Sequence, residues 1–195
     1  LEFRRVLFRS DKVNLLTGLI YTPNAMAIAP LTAEAKVPLV LMNAGASVIT
    51  TRSPYIARTS FTLWQSSYHM GIWAAKNGIK KAFTTVSDFA PGMDCEVAFV
   101  KGFTEAGGTI VGSVRFPVAN PDFVPFLQRA KDASPDAVFA FVPGGKDAAA
   151  IMKVFGDLGL KKAGIKFIGP GDIVTDEQLQ SMGDVALDVV TTHHY

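Results

Sequence analysis

Apolar residues along this chain come in short unbroken runs separated by stretches of helical periodicity. The pattern is clearest at residues 82–103, where AFTTV is followed by the turn SDFAPG and then by a stretch with Val97, Phe99, Val100 and Phe103 on one helical face. A run that is apolar at consecutive positions reads as a strand covered on both faces, as in a parallel sheet. Pro91 presets a helix-like φ in the turn, Asp94 falls in the predicted first helical turn, and Gly107-Gly108 stops the helix. The same strand–turn–helix unit recurs on either side.

Upstream, residues 13–18 read as a strand, 19–24 as its turn, and 25–36 as a helix in which Pro30 forces a kink or irregularity. A second strand spans 37–42, with the loop 43–47 after it, and a short strand follows residues 54–58. A helix over 64–77 carries Trp64, Tyr68, Ile72 and Ala75 at i, i+4 spacing and ends near Gly78. Downstream come a strand at 109–115, a turn at 116–121, and a helix at 123–131 capped by Asp122. A strand at 136–142 leads through Pro143-Gly144-Gly145 into a helix at 146–158. A strand at 165–169, a turn at 170–172, a short helix at 175–182 and a strand at 187–191 complete the series. Alternation of strand and helix with short Gly/Pro connections predicts an α/β fold with parallel sheets and right-handed crossovers.

Composition narrows the function. The 195 residues are 49% hydrophobic with a formal charge of +2, enough for a sizeable core and without the basic stripe that nucleic-acid binding needs. Cys95 is the single cysteine, which excludes an internal disulfide and a thiolate metal cluster; on a helix among apolar neighbours it reads as packing. No apolar run reaches the roughly 20 residues of a membrane span. Residues 1–10, LEFRRVLFRS, alternate arginine with apolar residues. Glu2 to Ser10 resembles the conceptual translation of a sequencing adapter, so this segment is expected to be a non-native scar. With no closing helix after the last strand, truncation at both ends is expected.

Ligands of open α/β sheets bind beyond the carboxyl ends of the strands. Those positions here are residues 21–24, 43–47, 88–92, 142–145 and 169–172, several leading into helix N-termini suited to a carboxylate or other small anion. Competing chemistries fare worse. Residues 142–147 lack the first glycine and the Ser/Thr of a phosphate loop, and Gly45-Ala46-Ser47 is not a nucleophile elbow. His193 and His194 are adjacent on an extended segment and point to opposite faces, so they do not chelate one ion; no metal and no cofactor are expected. An enzyme of open α/β type would use Asp88 or His194 as base, but Asp88 reads first as a turn cap.

The turns, taken with the order of units, resemble the periplasmic substrate-binding proteins of ABC importers, of the leucine/isoleucine/valine-binding type. GLIYTPNAMAIAPLTAEAKVPLV, MNAGAS, SPYIARTSFT, SDFAPGMD, PDAVFAFVPGGKDAAAIMK, GLKKAGIKFIGPGD and GDVALDVVTTHHY follow one another as in that family, over residues 13–195. The resemblance implies a two-lobed Venus-flytrap (type I) fold that closes on a small carboxylate-bearing ligand and delivers it to a membrane permease. Residues 11–59 would be part of lobe one, 60–190 lobe two, and 191–195 the start of a hinge return. Tyr21, Thr22, Gly45, Ala46 and Ser47 would hold the ligand's carboxylate. Phe89, Ala90, Pro91, Phe141, Pro143 and Gly144 would face it from lobe two, with His194 or Tyr195 turned to the cleft.

One departure matters. Amino-acid binders of this type carry a carboxylate in the turn after the fourth lobe-two strand, and here that turn is Gly169-Pro170-Gly171-Asp172. Either Asp172 serves, or the ligand has no ammonium group; the wording of the loops leans toward aromatic or other organic acids. The resemblance further implies a periplasmic location, or an extracellular, membrane-anchored one in a Gram-positive source, and a monomer at full length. A sensor or receptor domain of the same fold is the alternative.

Overall fold

A computed structural model of the protein describes residues 12–193. The scar reading of residues 1–10, and the site candidates His194 and Tyr195, lie outside these residues. The chain divides into two compact units, one ending at Leu63 and the other beginning at Trp64.

The first unit holds a three-stranded parallel sheet in the order β1-β2-β3: β1 (Leu16–Gly18), β2 (Leu39–Leu41) and β3 (Ile56–Arg58). Helix α1 (Thr22–Ala35) connects the first two strands. Its core is Ala25, Ile28, Ala29, Leu39, Leu41, Ile49 and Ile56. Helix α1 begins at Thr22, earlier than the periodicity predicts, because Pro23 has no N–H to lose in a first turn and so extends the helix backward. The helix also runs through Pro30 unbroken. Loop 43–47 passes into a 3₁₀ turn, Ser47–Thr51.

The second unit is a five-stranded, all-parallel sheet in the order β5-β4-β6-β7-β8. Its strands are β4 (Lys81–Ser87), β5 (Thr109–Phe116), β6 (Ala137–Phe141), β7 (Lys166–Pro170) and β8 (Val190–Thr192). Its helices are α2 (Leu63–Lys76), α3 (Ala90–Glu105), α4 (Val124–Asp132), α5 (Lys146–Asp157) and α6 (Asp176–Met182). Strands β4 and β6 sit inside the sheet and are buried at nearly every position, the expected signature of strands covered on both faces. On one face Phe83, Val138, Ala140 and Phe167 pack with Leu127 of α4 and Ile151, Met152 and Phe155 of α5. On the other, Phe139 stacks on Phe99 of α3 with ring centroids 4.1 Å apart. Thr191 and Thr192, expected to open a return segment, pair here with Gly169 and Pro170.

Two predicted helix faces are rotated. On α2 the buried positions are Leu63, Ser66, Ser67, Met70, Gly71 and Ala74, while Trp64, Tyr68, Ile72 and Ala75 are half-buried. On α3, Val97 is 51% exposed, and the buried strip runs through Cys95, Glu96, Ala98, Phe99, Gly102 and Phe103. Both shifts have one cause. Gly71 and Gly102 let the backbones of α2 and α3 touch, so the contact line follows the small residues and not the large ones. A Cβ on Gly71 would stand 2.5 Å from the Phe99 carbonyl oxygen and 2.6 Å from the Phe103 nitrogen, and one on Gly102 would collide with the Tyr68 carbonyl. Because α3 begins at Ala90, Asp94 falls beyond its first turn, and the expected dipole contact is not made.

Candidate functional site

The carboxyl-end loops of the first unit are drawn together by short-range bonds. The Ala44 N–H donates to Leu19 O (3.0 Å), and the Ala46 N–H reaches the Thr22 hydroxyl (3.4 Å). The turn bearing Tyr21 and Thr22 is thereby joined to the loop bearing Gly45, Ala46 and Ser47. Tyr21 is the N-cap of α1 and is 55% exposed, whereas Thr22 is buried. Gly45 lies against Leu63, whose Cγ would be 3.0 Å from an added Cβ.

A residue that sequence reasoning passed over holds this loop. Arg58, the last residue of β3, donates from Nη2 to Ala44 O (3.0 Å) and Ala46 O (2.7 Å). The only signal was an arginine closing an otherwise apolar strand.

In the second unit, register decides which loops meet. Val86 of β4 pairs with Phe141 of β6, Phe139 with Ile168 of β7, and Pro170 with Thr192 of β8, so four carboxyl ends follow one another along one edge. Phe89, after β4, stacks on Phe141 with centroids 6.1 Å apart and planes 29° from parallel. The Ser87 hydroxyl donates to Phe141 O (3.3 Å), and the Asp88 N–H donates to Phe116 O (2.8 Å). Asp88 is exposed, and the N-cap of α3 is Phe89 with no side-chain cap, so the predicted capping role of Asp88 is not found. Ala90 and Pro91 form the first turn of α3, not a preceding loop. Gly92, also in that turn, sits so near the Ser87 carbonyl that a Cβ would overlap it.

Pro143 and Gly144 are half-buried, and φ is +86° at Gly144 and +63° at Gly145, a left-handed pair that glycine alone adopts readily. Gly144 lies over Asp172, whose carbonyl oxygen would be 3.4 Å from an added Cβ. Asp172 is half-buried in a 3₁₀ turn, Gly171–Ile173. The structure thus collects Phe89, Ala90, Pro91, Phe141, Pro143, Gly144 and Asp172 along one edge of the second sheet, and adds His193, which follows β8 and packs on Gly171.

The chemistry of this edge is apolar and aromatic with few charges. Burial pushes the Cys95 thiol well up, the neighbouring Ser67 hydroxyl works in the opposite sense, and the carboxylates of Asp172 and Asp94 raise it further, so it is no nucleophile. Among the described residues, no three His, Cys, Asp or Glu side chains gather as a metal site. A cavity of about 540 Å³ lined by Trp73, Phe155, Lys161, Ile165, Leu187 and Val190 opens at the amino ends of β7 and β8, away from these loops. No helix among the described residues is long and apolar enough to cross a membrane.

A family model described as "Periplasmic binding protein" matches residues 4–195. The chain belongs to that family. Among curated periplasmic binding proteins, a "Leu/Ile/Val-binding protein homolog 6" of Brucella melitensis is 46% identical over 185 residues, covering 95% of this chain and 47% of the relative. The chain therefore spans about half the length of the curated relatives it matches. Two crystal structures of solute-binding proteins of ABC transporters are also similar. One, from Rhodopseudomonas palustris BisB5 in complex with 3,4-dihydroxybenzoic acid, is 56% identical with a TM-score of 0.89, covering 95% of this chain and 51% of that one. The other, from R. palustris in complex with 4-hydroxybenzoate, is 45% identical with a TM-score of 0.94, covering 100% and 53%. The fold is accordingly that of the type I periplasmic binding proteins, a family of binding proteins and not a class of enzyme.

Proposed function

We propose that the whole protein is the solute-binding component of an ABC importer, capturing a small aromatic carboxylate and passing it to a membrane permease. The observation that carries the choice of ligand is the Phe89–Phe141 stack at the carboxyl ends of β4 and β6. Two stacked rings at adjacent strand ends, Phe89 half-buried over a buried Phe141 and flanked by glycine and proline, give this edge an aromatic lining that suits a benzene ring better than a branched aliphatic chain. Relatives at 56% and 45% identity hold hydroxylated benzoates, which supports the same reading.

In this reading Tyr21, Thr22, Gly45, Ala46 and Ser47 take the carboxylate, and Phe89, Ala90, Pro91, Phe141, Pro143 and Gly144 meet the ring as the protein closes by hinge motion. In this reading the ligand carries no ammonium group that would call on Asp172. The protein acts in the periplasm, or outside the cell on a membrane anchor, as a monomer and without catalysis.

Calorimetric titration of the full-length protein with 4-hydroxybenzoate, benzoate and leucine tests this. Saturable binding of the benzoates without turnover is expected. Tight leucine binding that Asp172→Ala abolishes would overturn the choice of ligand, and conversion of ligand to product would overturn the receptor reading.

A further inference from the structure

Strand β4 leaves its two neighbours at different points. Its pairing with β5 runs on to Ser87, opposite Phe116, whereas its pairing with β6 ends one residue earlier, at Val86 opposite Phe141. Ser87 is buried, and beyond that last pair its side chain takes over from the ladder: the hydroxyl donates to Phe141 O (3.3 Å). The Ser87 carbonyl accepts the Phe89 N–H (2.9 Å), a bond between residues two apart that closes a tight turn at Asp88. Gly92 of α3 lies so close against the same carbonyl that a Cβ would overlap it, so helix backbone backs the turn. The Met93 N–H then donates to Phe89 O (3.0 Å). One buried serine is thus bonded to both residues whose rings stack at the carboxyl ends of β4 and β6.

We infer that Ser87 is a positioning residue that sets the spacing and tilt of the Phe89 and Phe141 rings, and through them the preference for a flat aromatic ligand. This rests on the reading of the site as one for aromatic carboxylates. An aromatic lining attracts any apolar group by the area it covers. A further benzene ring gains more than that only in offset or edge-on geometry, with centroids about 4.5–7 Å apart. The Phe89 and Phe141 rings stand 6.1 Å apart and 29° from parallel, toward the far end of that range, so little slippage of one strand end past the other is tolerated. The Ser87 hydroxyl is the bond that resists such slippage where the β4–β6 register stops. A saturated ring of the same size covers the same area and gains nothing from the angle.

Thr85 supplies the comparison that separates this role from a structural one. It is buried on the same strand, and its hydroxyl has no hydrogen-bond partner among the described residues. Full-length wild type, Ser87→Ala, Ser87→Cys, Ser87→Thr and Thr85→Ala are titrated calorimetrically with benzoate and with cyclohexanecarboxylate, and their thermal midpoints are compared. Ser87→Ala should weaken benzoate by about three- to tenfold, the worth of one hydrogen bond, and cyclohexanecarboxylate by less than about twofold. Ser87→Cys, close to serine in volume but a weak donor, should lose the preference in the same way, and it decides the matter if the alanine variant does not fold. Ser87→Thr keeps the hydroxyl and should restore most of the preference. Thr85→Ala should lower the thermal midpoint at least as far as Ser87→Ala while leaving the ratio of the two affinities unchanged. If wild type prefers benzoate and the Ser87 variants keep that preference, or Thr85→Ala erodes it equally, Ser87 does not set the ring geometry, though the ligand class stands. If wild type binds benzoate no more tightly than cyclohexanecarboxylate, or not at all, the aromatic reading falls and this inference with it.

Discussion

Replacing Gly71 and Gly102 with alanine, singly and together, tests the account of how α3 is placed behind the candidate site. In an isolated helix each change would be favourable by about 1 kcal/mol, because alanine is the better helix former. Packing points the other way. A Cβ on Gly71 would sit 2.5 Å from a backbone oxygen of α3, and ordinary contact begins at 3.4 Å, so the helices must part by about 1 Å. On Gly102 the obstacle is again backbone, the Tyr68 carbonyl, and no rotamer change relieves it. Overpacking of this kind costs typically 1–3 kcal/mol, and at a backbone–backbone crossing the upper end applies. The net expectation is a loss of about 2 kcal/mol for each single variant. Once one alanine has forced the helices apart, the second finds the space already open. The double variant should therefore lose about 3 kcal/mol, less than the sum of the two. Urea unfolding of the full-length protein, with midpoints compared at constant slope, measures all three. Single variants as stable as wild type, or strictly additive losses, would refute the close helix crossing.

Three further outcomes follow from individual groups. Glu96 is 7% exposed and receives the Thr84 and Ser113 hydroxyls at one oxygen and Arg115 at the other (Nε 2.8 Å, Nη2 2.6 Å), while Arg115 is 41% exposed. Removing the partner of the buried charge should cost more than neutralising that charge, so Arg115→Met is expected to lower unfolding free energy by about 3 kcal/mol and Glu96→Gln by about 1–2 kcal/mol, with the reverse order refuting it in urea melts. Arg58→Met keeps the side-chain stem but drops two bonds to residues 44 and 46, and should weaken ligand binding by about tenfold with faster amide exchange across residues 44–47; unchanged exchange would count against Arg58 as the loop's clamp. On the exposed face of α3, hydrogen bonds from Lys101 and then Tyr68 hold the Glu105 carboxyl below its ordinary value of 4.5, while Glu105 raises the pKa of both partners. A carboxyl depressed on folding adds stability that is present above pH 4.5 and lost as pH falls through its lowered pKa. The gap between wild type and Glu105→Gln in thermal midpoint should therefore be present at neutral pH and shrink as pH falls from 4.5 through the lowered pKa; a gap that stays constant through that fall would refute the triad.

The fold was legible where burial and periodicity agree. The runs at 82–86, 136–142 and 165–169 contain strands β4, β6 and β7 because, apart from the exposed Asp136 and Lys166 at their amino ends, their positions meet a covered face. Helix faces were less legible because large apolar residues are weak guides where small ones set the contact. Trp64, Tyr68 and Val97 look like anchors in sequence, yet Gly71 and Gly102 choose the crossing and rotate those side chains outward. Glu96 was missed for a related reason. A glutamate on a helix reads as solvated, and only the register of β4 with β5 brings Thr84, Ser113 and Arg115 to meet it.

Site residues divide along the same line. Loops at carboxyl strand ends are placed by topology alone, and the described candidates of each unit lie on neighbouring loops. What could not be found were contacts between chain-distant residues that bear no motif. Arg58 reaches residues 44 and 46 only because β3 lies beside β2, and His193 reaches Gly171 only because β8 lies beside β7. In both cases a polar side chain closes one strand and acts on the loop of its neighbour. A glycine in such a loop has a meaning the sequence cannot express. Gly171 reads as the loss of a side chain, and in space it is the seat of an imidazole supplied from the adjacent strand. The space at that corner is then filled by histidine, although the position itself is occupied by glycine.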